Sequence, residues 1–171
     1  MKIPSALVIG AVLASPLCAK NVPTPDMAVS FNMSKDPKKW VGQLTAAEDR
    51  FIIFELVPQG ESVKAWTEMV EQQIAFTPAT LRNYVDVWEK GMSRADPKIN
   101  VNEQTNKDGS LVVAYASNSA QEISVRRFIK ARDGIYMLAY LVRPSSRNEA
   151  RLNMWISIIE AATLVPNPNK R

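Results

Sequence analysis

The chain has 171 residues, a formal net charge of +4 with histidine counted as neutral, no histidine and one cysteine. Without histidine it cannot form a Ser-His-Asp triad, a Cys-His pair or a His-based zinc site. Its length is that of one domain, and its mild positive charge is compatible with an anionic partner without requiring one.

The first nineteen residues have the pattern of a secretory signal peptide. Lys2 precedes the apolar run SALVIGAVLA, and Ser15-Pro16-Leu17-Cys18-Ala19 follow, with Leu17 and Ala19 at the two positions that the cleavage site reads. That order is typical of an n-region, an h-region and a cleavage site, and the run is shorter than the ~20 residues that span a bilayer. We predict a signal peptide over residues 1–19, cleavage after Ala19, and export to the periplasm or the extracellular medium.

Cys18 leaves lipidation as an alternative, because lipoprotein signal peptides also end at a cysteine. A small residue precedes that cysteine in such signals, whereas Leu17 stands here, so we expect no lipoprotein. Cleavage after Ala19 leaves a mature chain without a thiol, which suits an exported protein.

The part of the mature chain before residue 58 is predicted to be extended and to contain the first strands. Residues 20–30 contain two prolines and little periodicity, which indicates an extended N-terminal segment. Residues 51–57 (FIIFELV) are β-branched and aromatic, which predicts a strand buried on both faces. Residues 39–45 are its expected hairpin partner.

Residues 57–74 (VPQGESVKAWTEMVEQQI) predict a corner between a strand and a helix. Ser62 is the expected N-cap, and Glu61 is favourably placed at the helix start. Apolar residues then follow at helical spacing: Val63, Trp66, Val70 and Ile74.

A second helix is predicted to begin at Thr77-Pro78, where a capping hydroxyl precedes proline. It is expected to end near Gly91. Its apolar stripe is Leu81, Tyr84, Val85 and Trp88.

Residues 99–142 are predicted to form strands, and a last helix follows them. Asp108-Gly109 and Asp133-Gly134 are hairpin signals, and Ser146 with Glu149 forms a capping box before a final helical stripe that includes Trp155. Residues 166–171 are predicted as a flexible tail. The predicted strands cover residues 99–104, 111–116, 123–131 and 135–142.

Tight hairpins require antiparallel pairing, and strands that are apolar on both faces require cover on both faces. We therefore predict an α+β fold over residues 31–165: an antiparallel β-sheet of about six strands covered by helices on both faces, an α/β/α sandwich. The residues given a structural role are Ser62, Trp66, Trp88 and Trp155.

The segment GESVKAWTEMV at residues 60–70, with the order of elements around it, resembles the PsbP-like/Mog-like superfamily, in particular its small exported bacterial members. The resemblance implies an α/β/α sandwich and a role in binding or assembly rather than catalysis. It carries over no ligand-binding residue, because the matching motif is of structural type.

The sequence gives only weak evidence for a set of catalytic residues. Glu61, Glu68 and Glu71 cluster near the first predicted helix, where a solvated helix face is the favoured interpretation. No carboxylate pair is defined by spacing, Asn106–Gly109 lacks the acids of a calcium loop, and no Ser-Lys dyad is indicated. We predict no catalytic residue, no metal and no cofactor, and keep a carboxylate-dependent hydrolase as an alternative.

Basic residues give the one candidate binding surface. Arg126, Lys130 and Arg132 fall at even spacing, so a strand would point all three to one side with Phe128 between them. Solvated strand ends are the competing interpretation. A single aromatic is too few for a nucleic-acid platform. The candidate binding residues are Arg126, Lys130, Arg132, Arg143, Arg147 and Trp40.

Together these patterns predict an exported, non-catalytic binding or accessory protein of the bacterial envelope, acting through protein–protein contacts at loops and a sheet edge. The alternative is a secreted effector that binds an anionic lipid, glycan or host surface through the basic residues. Nucleic acid is not an expected partner.

Overall fold

The structure is a computed structural model that describes residues 7–8 and 22–170. Its two α-helices are α1 (Leu81–Ala95) and α2 (Glu149–Ala161). The strands are β1 (Leu7–Val8), β2 (Met27–Phe31), β3 (Trp40–Ala47), β4 (Phe51–Pro58), β5 (Glu68–Ala75), β6 (Asn100–Thr105), β7 (Leu111–Ser117), β8 (Glu122–Lys130), β9 (Ile135–Val142) and β10 (Thr163–Pro166).

Seven strands form one antiparallel sheet in the order β3-β4-β5-β9-β8-β7-β6. Strand β9 lies at the centre, and all eight of its residues are buried. Its run IYMLAYLV was predicted as a strand, and the structure confirms this. Because the run has no charged residue and both of its faces are apolar, it has to be covered on both faces.

The two faces of the sheet carry separate hydrophobic clusters. Tyr136 and Tyr140 of β9 point toward α2, whose Trp155 belongs to the same cluster. Met137 and Leu141 alternate to the opposite face, where they join a cluster that includes Val85 of α1. We call these the α2 face and the α1 face.

A second, small sheet has the order β1-β2-β10 and packs beside α2. Strand β10 includes Pro166, and the side-chain amide of Asn167 then donates to the Pro25 carbonyl at 3.0 Å. The segment predicted as a flexible tail is therefore paired and bonded as far as Lys170. The predicted signal peptide and Cys18 lie outside the described residues, apart from Leu7–Val8.

The predicted α/β/α sandwich is wrong. The chain is mainly β, with seven strands in the main sheet rather than six, a second small sheet, and only two α-helices in the described residues. Helices therefore form no layer on either face. Each face has one helix packed near β8, and β2 shares the α2 face.

The main error concerns residues 62–74, which were predicted as a helix. Residues 68–75 are strand β5, which pairs with β4 on one side and β9 on the other. Two complete ladders of backbone hydrogen bonds outweigh the helical spacing of Val70 and Ile74, because propensity is a weak prior against tertiary pairing. Residues 57–74 are thus the end of β4, a loop and most of β5, rather than a strand-to-helix corner.

Ser62 and Trp66 change roles with that correction. Ser62 caps no helix; it forms an isolated bridge with Ala65 in the loop between β4 and β5. The loop starts with a turn in which the Glu61 N–H donates to Pro58 O at 2.9 Å, and Gly60 there has φ +96°. Trp66 is half-buried against the α1-face cluster.

The other two helices were predicted in the right place, with different caps. Thr80 rather than Thr77 caps α1, accepting from the Asn83 N–H at 3.2 Å. Asn148 rather than Ser146 caps α2, accepting from the Arg151 N–H at 3.0 Å. Among the described residues, neither helix is long and apolar enough to cross a membrane.

Trp155 is the residue on which α2 docks. It is 0% exposed, stacks on Tyr140 with ring centroids 4.9 Å apart, and meets Trp40 edge-on at 5.5 Å. We expect Trp155→Ala to lower the free energy of unfolding by about 3–5 kcal/mol, because it leaves a cavity under the helix. Urea unfolding followed by circular dichroism measures this, and Trp155→Phe should lose clearly less. Equal losses in the two variants would contradict the assignment.

Candidate functional site

The structure does not bring the predicted basic residues together. Arg126, placed on the candidate surface by the sequence, is 7% exposed and lies under α1. Its guanidinium donates to the Tyr115 hydroxyl at 3.0 Å and lies 3.5 Å from Glu71 and 3.8 Å from Glu122. This part of the binding prediction is wrong, because the side chain is enclosed rather than displayed.

Arg126 instead organises the interior of the α1 face. It lies over the rings of Trp88 and Tyr115 at 5.5 and 5.6 Å. Burial by itself would lower its pKa, but Glu71, Tyr115 and Glu122 outweigh burial and keep the pKa above its ordinary value. Burial also raises the pKa of Tyr115, to about 12. The cluster is a paired structural charge, since an unpaired buried arginine would be strongly destabilising.

Lys130 and Arg132 do reach the surface, at the end of β8. The Lys130 ammonium donates to the Thr77 carbonyl at 3.0 Å. The Arg132 side chain is 90% exposed and pairs with Asp26 at 2.6 Å. Both are therefore engaged within the chain, and the carboxylate of Asp26 lowers the positive potential beside them.

Arg143 and Arg147 lie at the opposite end of the sheet from Lys130. The Arg143 guanidinium lies 3.9 Å from the centroid of the Trp66 ring and donates to the Ala120 carbonyl at 2.7 Å. Arg147 pairs with Glu149 at 2.5 Å. Two ends of one sheet do not make one basic surface.

Trp40 belongs mainly to the core of the α2 face. Its ring N–H donates to Asp36 at 3.1 Å, and Asp36 receives two further bonds of 2.9 Å from Arg151. Arg151 also pairs with Glu68 at 2.5 Å. Glu68, predicted on a solvated helix face, is thus 3% exposed and ties β5 to α2.

An unpaired strand edge is the clearest surface feature that remains. Strand β3 pairs only with β4 in the described part of the chain, so its outer side is free. The Gln59 N–H donates to the Lys39 carbonyl at 2.8 Å, which marks a hydrogen-bonded pair of the ladder. Such pairs alternate in antiparallel strands, so the backbone groups of Trp40, Gly42 and Leu44 point outward.

This edge lacks the usual protection. The eight residues WVGQLTAA of β3 include no charge and no proline, and Val41 is 52% exposed. Only a bulge between Leu44 and Ala46 interrupts it. Exposed edges are normally blunted by charges, proline or a covering element. The Phe54 ring packs over Gly42: a Cβ added to Gly42 would lie 2.5 Å from the Phe54 Cζ, so a side chain at this position would displace the ring.

The opposite edge, β6, is different. Its sequence NVNEQT is polar, and Glu103 on it receives a two-pronged bond from Arg82 of α1 at 2.6 and 2.5 Å. A charged side chain held on an edge strand opposes the addition of another strand. The two edges therefore differ in their capacity to accept a partner.

A pair of carboxylates lies beside the free edge on the α1 face. Glu55 of β4 is directly opposite Glu71 of β5, and Gln43 of β3 is directly opposite Glu55. Like charges directly across a ladder are destabilising. Glu71 has Arg126 nearby, whereas Glu55 has no ion-pair partner among the described residues.

Burial raises the pKa of Glu55; an interaction with Thr45 opposes the increase, and the charge of Glu71 adds to it. A half-buried carboxylate with a perturbed pKa and no cation is a candidate functional group. No group of three or more His, Cys, Asp and Glu suited to holding a metal ion occurs in the described residues. The candidate site is therefore the β3 edge together with Gln43, Glu55 and Glu71.

The sequence interpretation missed this site, although one signal was present. Glu55 interrupts the apolar run FIIFELV, which was predicted as buried on both faces. Glu71 was assigned to a helix and thus could not be placed opposite it. Residues 39–45 were predicted as the hairpin partner of residues 51–57, and the structure confirms that pairing.

Comparison with known proteins adds no relative. No protein-family model, no curated protein and no solved structure matches this chain. The resemblance to the PsbP-like/Mog-like superfamily stays a prediction.

Glu55→Gln is expected to stabilise the free protein. The folded-state pKa of Glu55 is raised, so the ionised form costs stability above that pKa, and this cost disappears as the pH falls toward the unfolded-state value. We expect a gain of about 0.2–1 kcal/mol at neutral pH, shrinking as the pH approaches about 4. The groups facing Glu55 are Gln43 and Glu71, with Arg126 beyond them.

Urea unfolding at the two pH values measures this gain. Glu103→Gln is the matched control, because its carboxylate is ion-paired with Arg82 and its loss should not stabilise. A destabilised Glu55→Gln protein at neutral pH would show that the carboxylate has a partner that compensates its charge.

Proposed function

We propose that this chain is an exported, non-catalytic binding protein of the bacterial envelope, whose partner adds an extended segment to the free edge of β3. The observation that carries the proposal is the edge formed by Trp40, Gly42 and Leu44, which is uncharged and has no partner strand within residues 7–8 and 22–170. Strand addition is a common mode of peptide recognition, in which main-chain hydrogen bonds provide affinity and alternate side chains provide specificity.

The energetics are adequate for a specific but reversible contact. Three outward residues offer three N–H donors and three C=O acceptors in the described edge. Each hydrogen bond formed contributes about 0.5–1.5 kcal/mol net, and Val41 offers apolar area next to them. Since the sheet is already built, β3 loses little conformational freedom on binding, which favours association.

Export rests on the sequence of residues 1–19. The n-region, h-region and small residues before Lys20 support translocation and cleavage, and a mature chain without cysteine suits an oxidising compartment. The resemblance of residues 60–70 to exported members of a binding and assembly superfamily supports a non-catalytic role. The basic surface of the alternative is weaker, because Arg126 is enclosed and the remaining cations are dispersed.

Processing after Ala19 is tested directly. We expect the protein purified from the envelope fraction or the medium of its native cells to begin at Lys20, as measured by intact mass and N-terminal sequencing. Ala19→Arg should abolish cleavage, because the site requires a small residue, while Lys20→Arg, which lies beyond it, should be processed normally. An uncleaved chain that stays in the cytoplasm would contradict export.

Strand addition has a residue-level signature. Displayed peptides of about eight residues, the length of a strand, are selected on the processed protein, and the recovered peptides are added during amide hydrogen exchange. We expect the amides of Trp40, Gly42 and Leu44 to gain protection, because they point outward. The amides of Val41 and Gln43 already bond to β4 and should change little, which makes them the internal control.

Protection that appears without this alternation would place the peptide on another surface and contradict strand addition. A selection that yields no enriched peptide would contradict it as well. Amides of β6 are the matched external control, because that edge carries the charge of Glu103.

A further inference from the structure

We infer that the segment bound at β3 carries a lysine or arginine at the position opposite Gln43, and that Glu55, with Glu71 behind it in the same row, supplies the negative charge that receives it. The inference rests on the proposed function and names the chemistry of its partner. The observation behind it is a like-charged pair on the α1 face, one and two strands away from an edge that is unpaired among the described residues.

The register fixes which side chains of an added strand reach the pair. Gln43, Glu55 and Glu71 lie in one row across β3, β4 and β5 on the α1 face. Strands lie about 4.8 Å apart, so a residue added opposite Gln43 starts about 10 Å from the backbone of Glu55. Long, flexible Lys and Arg side chains lie along a sheet surface while their charged ends reach such a distance.

The row contains no cation that already neutralises Glu55. Among the described residues, the ion pairs of this face join Arg126 to Glu71 and Glu122, and Arg82 to Glu103. Arg126 is separated from Glu55 by β5 and β9, because Glu71 is opposite Ala139 and Ala139 is opposite Arg126. The charge of Glu55 is therefore available to a partner.

Neighbouring positions make the surface selective for a basic strand. Gln43 is neutral and exposed, so it does not block a side chain that passes over it. Val41, one position along on the same face, is 52% exposed and suits an apolar residue two positions away on the added strand. An acidic strand would add a third negative charge to the row, which is the repulsive element that specificity requires.

The carboxylate pair has opposite consequences in the free and bound states. In the free protein, the two charges repel and the half-buried Glu55 is penalised. In the complex, a cation beside Glu55 offsets both the repulsion from Glu71 and the cost of burying the Glu55 charge. Glu55 therefore lowers the stability of the free protein and raises the affinity of the complex, whereas a carboxylate that only supports the fold would stabilise the free protein. The combination of these two effects distinguishes a binding role from a structural one.

The test uses the peptide selection on the complete processed protein. We expect recovered peptides to be enriched in Lys or Arg at one position, two residues away from an apolar one, and Glu55→Gln to weaken their binding by about fivefold, the scale of one partly exposed ion pair. Isothermal titration calorimetry measures the affinity. The chain has a formal net charge of +4, so general attraction of cationic peptides does not explain such enrichment.

Charge exchange sharpens the test. Glu55→Lys should lose the basic peptides and prefer the same sequences with Glu in place of Lys, since the sign of the row is then changed. Glu103→Gln is the matched control and should bind as the natural chain does, because Glu103 lies on the β6 edge and is paired with Arg82. Circular dichroism of each variant confirms that the fold is retained.

The outcomes separate the two proposals. Peptides that protect Trp40, Gly42 and Leu44 without basic enrichment, or whose affinity is unchanged by Glu55→Gln, would overturn the inference and leave strand addition standing. Basic peptides that bind without protecting these amides would overturn both, because the carboxylates would then act away from the edge.

Discussion

The double pairing of β9 is the constraint on which the rest of the structure depends. Its eight buried residues include no charged side chain, so the strand is stable only with a ladder on each side and cover on each face. Strands β5 and β8 provide the ladders. The two clusters, built on Tyr136 and Tyr140 or on Met137 and Leu141, fix where α2 and α1 dock.

Three arginines that look like surface residues in the sequence hold these layers together. Arg126 joins β8 to β5 and β7 under α1, and Arg151 joins α2 to Asp36 and Glu68. Arg127 donates to the Ile159 and Ala162 carbonyls at the end of α2, at 3.3 and 2.6 Å. Each satisfies carbonyl or carboxylate groups that would otherwise be buried without partners. The positive charge of the chain is thus partly internal.

The surface that remains combines an open ladder with unbalanced charge. The edge of β3 offers backbone groups without sequence preference, and the row from Gln43 to Glu71 adds a preference for positive charge. In the proposed complex, affinity and specificity therefore come from different parts of the same corner of the sheet. The absence of histidine from the sequence makes this corner independent of the commonest group that titrates near neutral pH.

Local patterns in the sequence were sufficient for the elements whose residues interact with near neighbours. Each of these elements has a periodicity or a turn chemistry that one segment contains by itself. They are the hairpin of residues 39–45 with 51–57, the central strand β9 and the helical stripe through Trp88. Export is also a property of a linear segment, and it stays a prediction from residues 1–19.

Tertiary structure alone decided the state of residues 62–74, the burial of Arg126 and the meeting of Glu55 with Glu71. The stripe of Val70 and Ile74 fits a helix as well as a strand, and the choice depends on β4 and β9, whose register no local pattern specifies. An arginine at even spacing in a strand points to one face, but only the helix packed there determines whether that face is solvent or core. A carboxylate pair across two strands exists only once their register is set, because a shift of one residue sends every side chain to the other face.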